Sequence, residues 1–203
     1  MRYIEFEKKL RNYIVFSIKD ITKVFPDLDS RRLVEWQEKG YILKIRRGYY
    51  CFSERRKDER FLYFSANKIY SASYVSFESA LAYYNLIPEA VFVTLSATTR
   101  NTADFETPVG NFGYKHIKPL LFWGYKLVQD GDVVVKIAEP EKALLDYFYI
   151  RKLNIMEDIE EMRLNPFQLK EIADPKKLET YAQVFESDVM RKRVQLLIKW
   201  MNA

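Results

Sequence analysis

The sequence predicts an α+β fold in two parts, and three observations carry that expectation. Apolar residues recur at helical spacing near both ends, as in Tyr3, Phe6 and Leu10 and again in Met190, Val194, Leu197 and Met201. β-prone runs broken by turn residues occupy 41–52 and the stretch from Val91 to Val135. Charge is uneven: residues 1–70 hold 17 Lys/Arg against 10 Asp/Glu, while residues 71–203 hold 16 against 18. The net charge of +5 therefore understates a basic N-terminal part. Clustered cations of this kind suit a polyanion such as nucleic acid.

Composition removes several classes. A chain of 203 residues with 48% hydrophobic content can bury one large or two small cores and is not globally disordered. The longest uncharged apolar-rich run, Ala90 to Thr99, is well short of the roughly 18 residues that span a bilayer. Glu5, Glu7, Lys8, Lys9 and Arg11 interrupt any apolar leader, so a cytoplasmic protein is expected. A single cysteine, Cys51, excludes an internal disulfide, and a single histidine, His116, leaves few soft ligands for zinc. No cofactor or structural metal is expected.

The elements follow in order. Tyr3 to Tyr13 reads as a first helix with one buried face. Ser17-Ile18-Lys19-Asp20 has the form of a capping box that opens a second helix, burying Ile18, Ile21 and Phe25 and stopping before Pro26. Asp29 or Ser30 can cap a third helix that ends at Gly40, with a turn of about four residues between the two, as in a helix-turn-helix. At 100° per residue, Leu33 faces inward with Trp36 and Val34 on its flanks. Ser30, Arg31, Arg32, Glu35 and Lys39 then spread over the other side, where the second helix of such a motif meets base edges and phosphates.

Two β-prone runs, Tyr41 to Ile45 and Tyr49 to Phe52, flank Arg46-Arg47-Gly48 and read as a hairpin. Placed after a recognition helix, it is a wing, with Lys44, Arg46 and Arg47 available to the DNA backbone. Each arginine alone fits a solvated surface charge equally well; the ordered succession of elements carries the winged helix-turn-helix reading. A first domain over 1–55 follows.

The seven charges of residues 54–60 read as a solvated linker, and 56–203 as a second, mixed α/β domain. A helix burying Phe61, Phe64 and Ile69 leads to one capped by Ser76 and ended at Asn85. Val91 to Leu95, Thr107 to Tyr114 and a hairpin across Asp130-Gly131-Asp132 predict a small, largely antiparallel sheet. Pro140 opens another helix, with Glu139, Glu141 and Asp146 at its start and on its outer face, and the tail is helical.

Taken together, Ile45 to Tyr50, Tyr74 to Leu81 with Leu86 to Glu89, Thr98-Thr99-Arg100, Thr107 to Gly110, Tyr114 to Ile117 and Ala138 to Asp146 resemble the AbiEi-type abortive-infection antitoxins. The resemblance spans residues 15 to about 150 in order. It implies an N-terminal winged helix that represses its own operon by binding promoter repeats in double-stranded DNA. It also implies a C-terminal domain that counters a neighbouring nucleotidyltransferase toxin.

Enzymatic readings fit less well. Asp130 and Asp132 could be paired metal-binding carboxylates of nucleotidyl transfer, yet Asp-Gly-Asp between β-runs is what a tight turn requires. Cys51 in an apolar strand reads as a small buried hydrophobe, and His116 as a structural or surface residue. Thr98, Thr99 and Arg100 form the one polar cluster of the sheet region suited to a partner or an anion, with plain turn chemistry as the alternative. The expectation is thus a non-enzymatic DNA-binding antitoxin, with a nucleotide-acting enzyme or a pure protein-interaction module as alternatives.

Overall fold

The computed structural model describes residues 1–131, 133–151 and 153–202 and has a mixed α+β architecture. The N-terminal part runs α1 (Tyr3–Leu10), β1 (Phe16–Ser17), α2 (Ile18–Val24), α3 (Arg31–Glu38), β2 (Ile42–Arg46) and β3 (Tyr49–Phe52). Its strands form an antiparallel sheet in the order β1-β3-β2. Phe6, Leu10, Phe16, Ile21, Leu33, Trp36, Ile42, Tyr50 and Phe52 make a separate small core. Its centre is aromatic, with the Phe6 and Trp36 rings 4.5 Å apart.

Local chemistry sets the helix ends. The Ser17 hydroxyl accepts the Asp20 N–H, and the Asp20 carboxylate accepts the Ser17 N–H at 2.9 Å, which satisfies two orphan donors at the start of α2. Phe25, forced out of the α region before Pro26, ends that helix at φ −138°, ψ 79°. Residues 25–30 then separate α2 from α3, a longer turn than the expected four. Asp29 caps α3 by accepting the Arg31 N–H, whereas Ser30 has helical backbone angles and makes no capping bond. Gly40, at φ +70°, reverses the chain after α3.

The larger part comprises α4 (Glu59–Ile69), β4 (Ser73–Val75), α5 (Phe77–Tyr83), β5 (Val93–Thr98), β6 (Ala103–Thr107), β7 (Gly110–His116), β8 (Tyr125–Asp130) and β9 (Val133–Ala138), followed by five helices. These are α6 (Pro140–Ile150), α7 (Met156–Glu161), α8 (Pro166–Ile172), α9 (Pro175–Gln183) and α10 (Asp188–Met201). Its six-stranded sheet has the order β6-β7-β5-β4-β9-β8. The expected small, largely antiparallel sheet is corrected here to a larger mixed one, because β5 pairs with β7, and β4 with β9, in parallel. Turn residues announce only the β6/β7 and β8/β9 hairpins. The parallel pairings join distant segments that local patterns do not link.

The charge run before α4 is pinned rather than free. Arg55 donates to the Arg11 carbonyl at 2.6 Å, and Asp58 caps α4 through the Phe61 N–H. Ile14, Val15, Ile45 and Cys51, all ahead of residue 55, belong to the core of the larger part. The two parts are therefore packed together across a shared apolar surface.

Candidate nucleic-acid interface

The outer face of α3 carries the predicted side chains in a paired arrangement. Arg31, 89% exposed, bonds back to Asp29 at 2.7 Å. Glu35 bridges Arg32 and Lys39, each at 2.7 Å, one turn apart on the helix. The Lys39 and Arg32 hydrogen bonds hold the Glu35 carboxyl below the usual range, and Arg31 does the same to Asp29. Exposed pairs of this type contribute little stability, so the cations can be released to a stronger anion at small cost. Ser30 is exposed at the same end. Val34 is 54% exposed, not on the flank of the core as the angular reading placed it, because Leu33 and Trp36 alone fill the inward side. It sets an exposed apolar side chain among the charges.

The hairpin separates its three cations. Lys44 and Arg47 are exposed. Arg46 is turned inward, a correction to its place at the wing tip. A bulge between Lys44 and Arg46 shifts the register with β3, and Arg46 ends the strand half-buried while Arg47, in the turn, is exposed. The Arg46 guanidinium donates to the Ile69 carbonyl at 2.8 Å and lies 4.4 Å from the Phe105 ring centroid and 5.0 Å from that of Tyr70.

The same Tyr70 ring receives Arg100 at 4.5 Å, so the structure joins two sequence motifs that lie 54 positions apart. Within Thr98-Thr99-Arg100 the roles divide. Thr98 is fully buried, donates to the Ala72 carbonyl at 2.8 Å and accepts the Arg100 N–H, which removes it from the partner-facing set. Thr99 is half-buried, and Arg100 is exposed with one bond to the Ser71 carbonyl. Tyr70 and Phe105 escaped the sequence reading, since nothing local marks an aromatic residue as a platform for a distant arginine. Lys68 escaped it too; it pairs at 3.3 Å with Asp20 of the α2 capping box.

A second polar cluster lies in the larger core. Lys142 and Asp146 form an ion pair, and Asp146 also accepts the Tyr74 hydroxyl at 2.9 Å and the Ser76 hydroxyl at 2.7 Å. All four side chains are fully buried. Burial presses the Lys142 ammonium below its usual pKa, against the pull of Asp146. This corrects two expectations. Ser76 does not cap α5, because its hydroxyl is committed to Asp146. Glu141 and Asp146 are not on an outer face, because α6 packs against α5 and β9 and is covered further by α9 and α10. Glu141 instead accepts the Asp174 N–H and pairs with Lys177, fastening α9. The arrangement is a structural tie, sealed from solvent.

Of the carboxylate pair considered for nucleotidyl transfer, Asp132 lies outside the described residues, and Gly131 at φ +58° makes the hairpin turn. Among the described residues no three His, Cys, Asp or Glu side chains converge as metal ligands, and no helix is long and apolar enough to cross a membrane. Cys51 is buried, with desolvation pushing its thiol up to about 11, and the His116 ring is exposed, its Nδ1 2.9 Å from the Arg100 carbonyl oxygen. A groove of about 490 Å³, lined by Leu81, Ile87, Phe92, Leu95 and Met162 together with Glu78, Glu89 and Glu161, opens elsewhere on the larger part. No protein-family model matches the chain, and no curated protein matches it in sequence.

Proposed function

We propose that this protein is a winged helix-turn-helix DNA-binding regulator that represses its own operon and serves as a non-enzymatic antitoxin. The observation that carries the DNA-binding half is the succession α1-β1-α2-α3-β2-β3 with strand order β1-β3-β2, which leaves α3 on the outside. Arg31, Arg32, Lys39, Lys44 and Arg47 supply exposed cations, and Ser30, Val34 and Glu35 supply groups that can meet base edges. The antitoxin half rests on the resemblance to the AbiEi-type family. On that reading the partners are promoter repeats in duplex DNA and a neighbouring nucleotidyltransferase toxin or its target, in the cytoplasm.

Fluorescence anisotropy against a duplex from the region upstream of its own gene, and against a scrambled duplex, tests the regulator. Binding to the upstream duplex at least tenfold tighter across 50–200 mM salt is expected, with Arg47→Ala flattening the salt slope by about 0.9. Equal, salt-sensitive affinity for both duplexes overturns specific regulation. The apolar groove beside Phe92, which is 87% exposed, favours a protein-interaction module as the second reading.

A further inference from the structure

We infer that the cavity at the junction of the two parts is a binding site for a nucleoside phosphate. It measures about 520 Å³, room for a small ligand and far more than one phosphate ion fills. Its lining comes from four places in the chain: Arg11 at the end of α1, Ile14 before β1, Phe52 at the end of β3, and the stretch 54–61 that enters α4. Three guanidinium groups of that lining carry the assignment. Arg11 and Arg56 are exposed, and Arg56 meets the Asp58 carboxylate only at a loose 3.6 Å. Arg55 is half-buried and fixed, its Nη2 donating to the Arg11 carbonyl at 2.6 Å and to the Tyr13 carbonyl at 3.4 Å, which ties the end of α1 to the cavity wall.

A guanidinium has five N–H donors, so Arg55 keeps others for an anion. Of the two acids on the described lining, Asp58 is committed to the Phe61 N–H at 3.0 Å as the cap of α4, and Glu54 is a single exposed carboxylate. Three planar forks at one site suit the several oxygens of a phosphoryl group better than the two of a carboxylate. Ile14, Phe52 and Phe61, each less than a tenth exposed, form the apolar side and offer a wall for the face of a ring. Phosphate-binding forks beside such a wall, in a space of this size, are the complement of a nucleotide. The site is separate from the hairpin tip. β3 runs from Tyr49, paired with Arg46, to Phe52 on the cavity, and α4 runs from Phe61 on the cavity to Ile69, whose carbonyl takes the Arg46 guanidinium. Eight residues of helix set those two ends about 12 Å apart. A ligand seated there touches α1, β3 and α4 at once.

The experiment titrates the full chain, at fixed salt, into ATP carrying a fluorescent methylanthraniloyl group on its ribose and reads anisotropy. Unlabelled ATP, adenosine, inorganic phosphate and a scrambled DNA duplex serve as competitors. Saturable binding is expected, displaced by ATP at least tenfold better than by adenosine or by phosphate. Arg11→Gln and Arg56→Gln should each weaken it about tenfold at an unchanged melting temperature, while Arg191→Gln, which removes an exposed cation of α10, leaves it at the wild-type value. No saturable binding, or an unchanged affinity in the Arg11→Gln/Arg56→Gln double variant, overturns the site. Phosphate that competes as well as ATP overturns the nucleoside part of the assignment. Equal weakening in Arg191→Gln, or a duplex that displaces the probe at a lower phosphate concentration than ATP does, assigns the binding to general positive charge and overturns it. The regulator reading stands or falls separately, on whether the upstream and scrambled duplexes are distinguished.

Discussion

Replacing Arg46 by alanine separates folding from recognition. The substitution removes a charged hydrogen bond to the Ile69 carbonyl at 2.8 Å, a contribution of about 1.5–3 kcal/mol. It also removes stacking on Phe105 and Tyr70, each roughly 0.5–1 kcal/mol for a partly exposed pair. These contacts share one guanidinium and do not add fully, so a net loss of about 2–3 kcal/mol is expected. With a urea m-value on the order of 2–3 kcal/mol/M, the midpoint falls by about 1 M. Equilibrium unfolding in urea, followed by far-UV circular dichroism and tryptophan fluorescence, measures it. On the proposed regulator reading, the salt slope of DNA binding in the folded variant stays at the wild-type value, because the side chain faces the larger part. A stability change below about 0.5 kcal/mol, or a slope reduced by a full phosphate contact, refutes the inward role.

Three further outcomes follow from the same geometry. Burial raises the Asp20 carboxyl, but the Ser17 N–H and hydroxyl and Lys68 outweigh it, so its folded pKa lies below the unfolded one. The stabilisation is complete above the unfolded pKa and is lost as pH falls through the folded one. Asp20→Ala should cost about 1 kcal/mol near neutral pH and weaken the acid limb of a stability–pH curve, and an unchanged acid limb would contradict the capping role. Asp146→Ala leaves Lys142 buried without its counter-ion and should cost about 3–5 kcal/mol in chemical denaturation; a wild-type midpoint would contradict the central tie. Cys51, with its thiol near 11 and no exposed surface, should react with a thiol reagent at pH 8 only after denaturant is added, and prompt labelling of the native protein would contradict its burial.

Much of the local structure was legible because local chemistry specifies it. The Ser17/Asp20 box, Gly40, Asn85 at φ +55° and Pro140 each act on their own turn of chain. The Met190, Val194, Leu197 and Met201 stripe is buried as its spacing requires. What the sequence concealed depends on distant partners. β4 is three residues long, too short to show a period, yet it sits inside the sheet between β5 and β9. Arg46 and Arg47 are neighbours with the same chemistry, yet Arg46 is half-buried against Tyr70 and Phe105 while Arg47, in the turn, is exposed. Asp146 looked like a surface acid because the groups that hold it, the Tyr74 and Ser76 hydroxyls, lie 72 and 70 positions earlier in the chain. At the candidate site, the cations were legible as types, but their pairing with Asp29, Glu35 and Tyr70 was not.

The burial of Ile14, Val15, Ile45 and Cys51 in the larger core bears on how this protein can change over generations. A DNA-reading segment joined by a slack tether can be exchanged between genes as a cassette. Here a cut near residue 55 would leave four apolar side chains facing water on one fragment and a matching hollow on the other. On the regulator reading proposed above, new operators are reached by substitution on the exposed side of α3, while the segment and its neighbour are inherited as one piece.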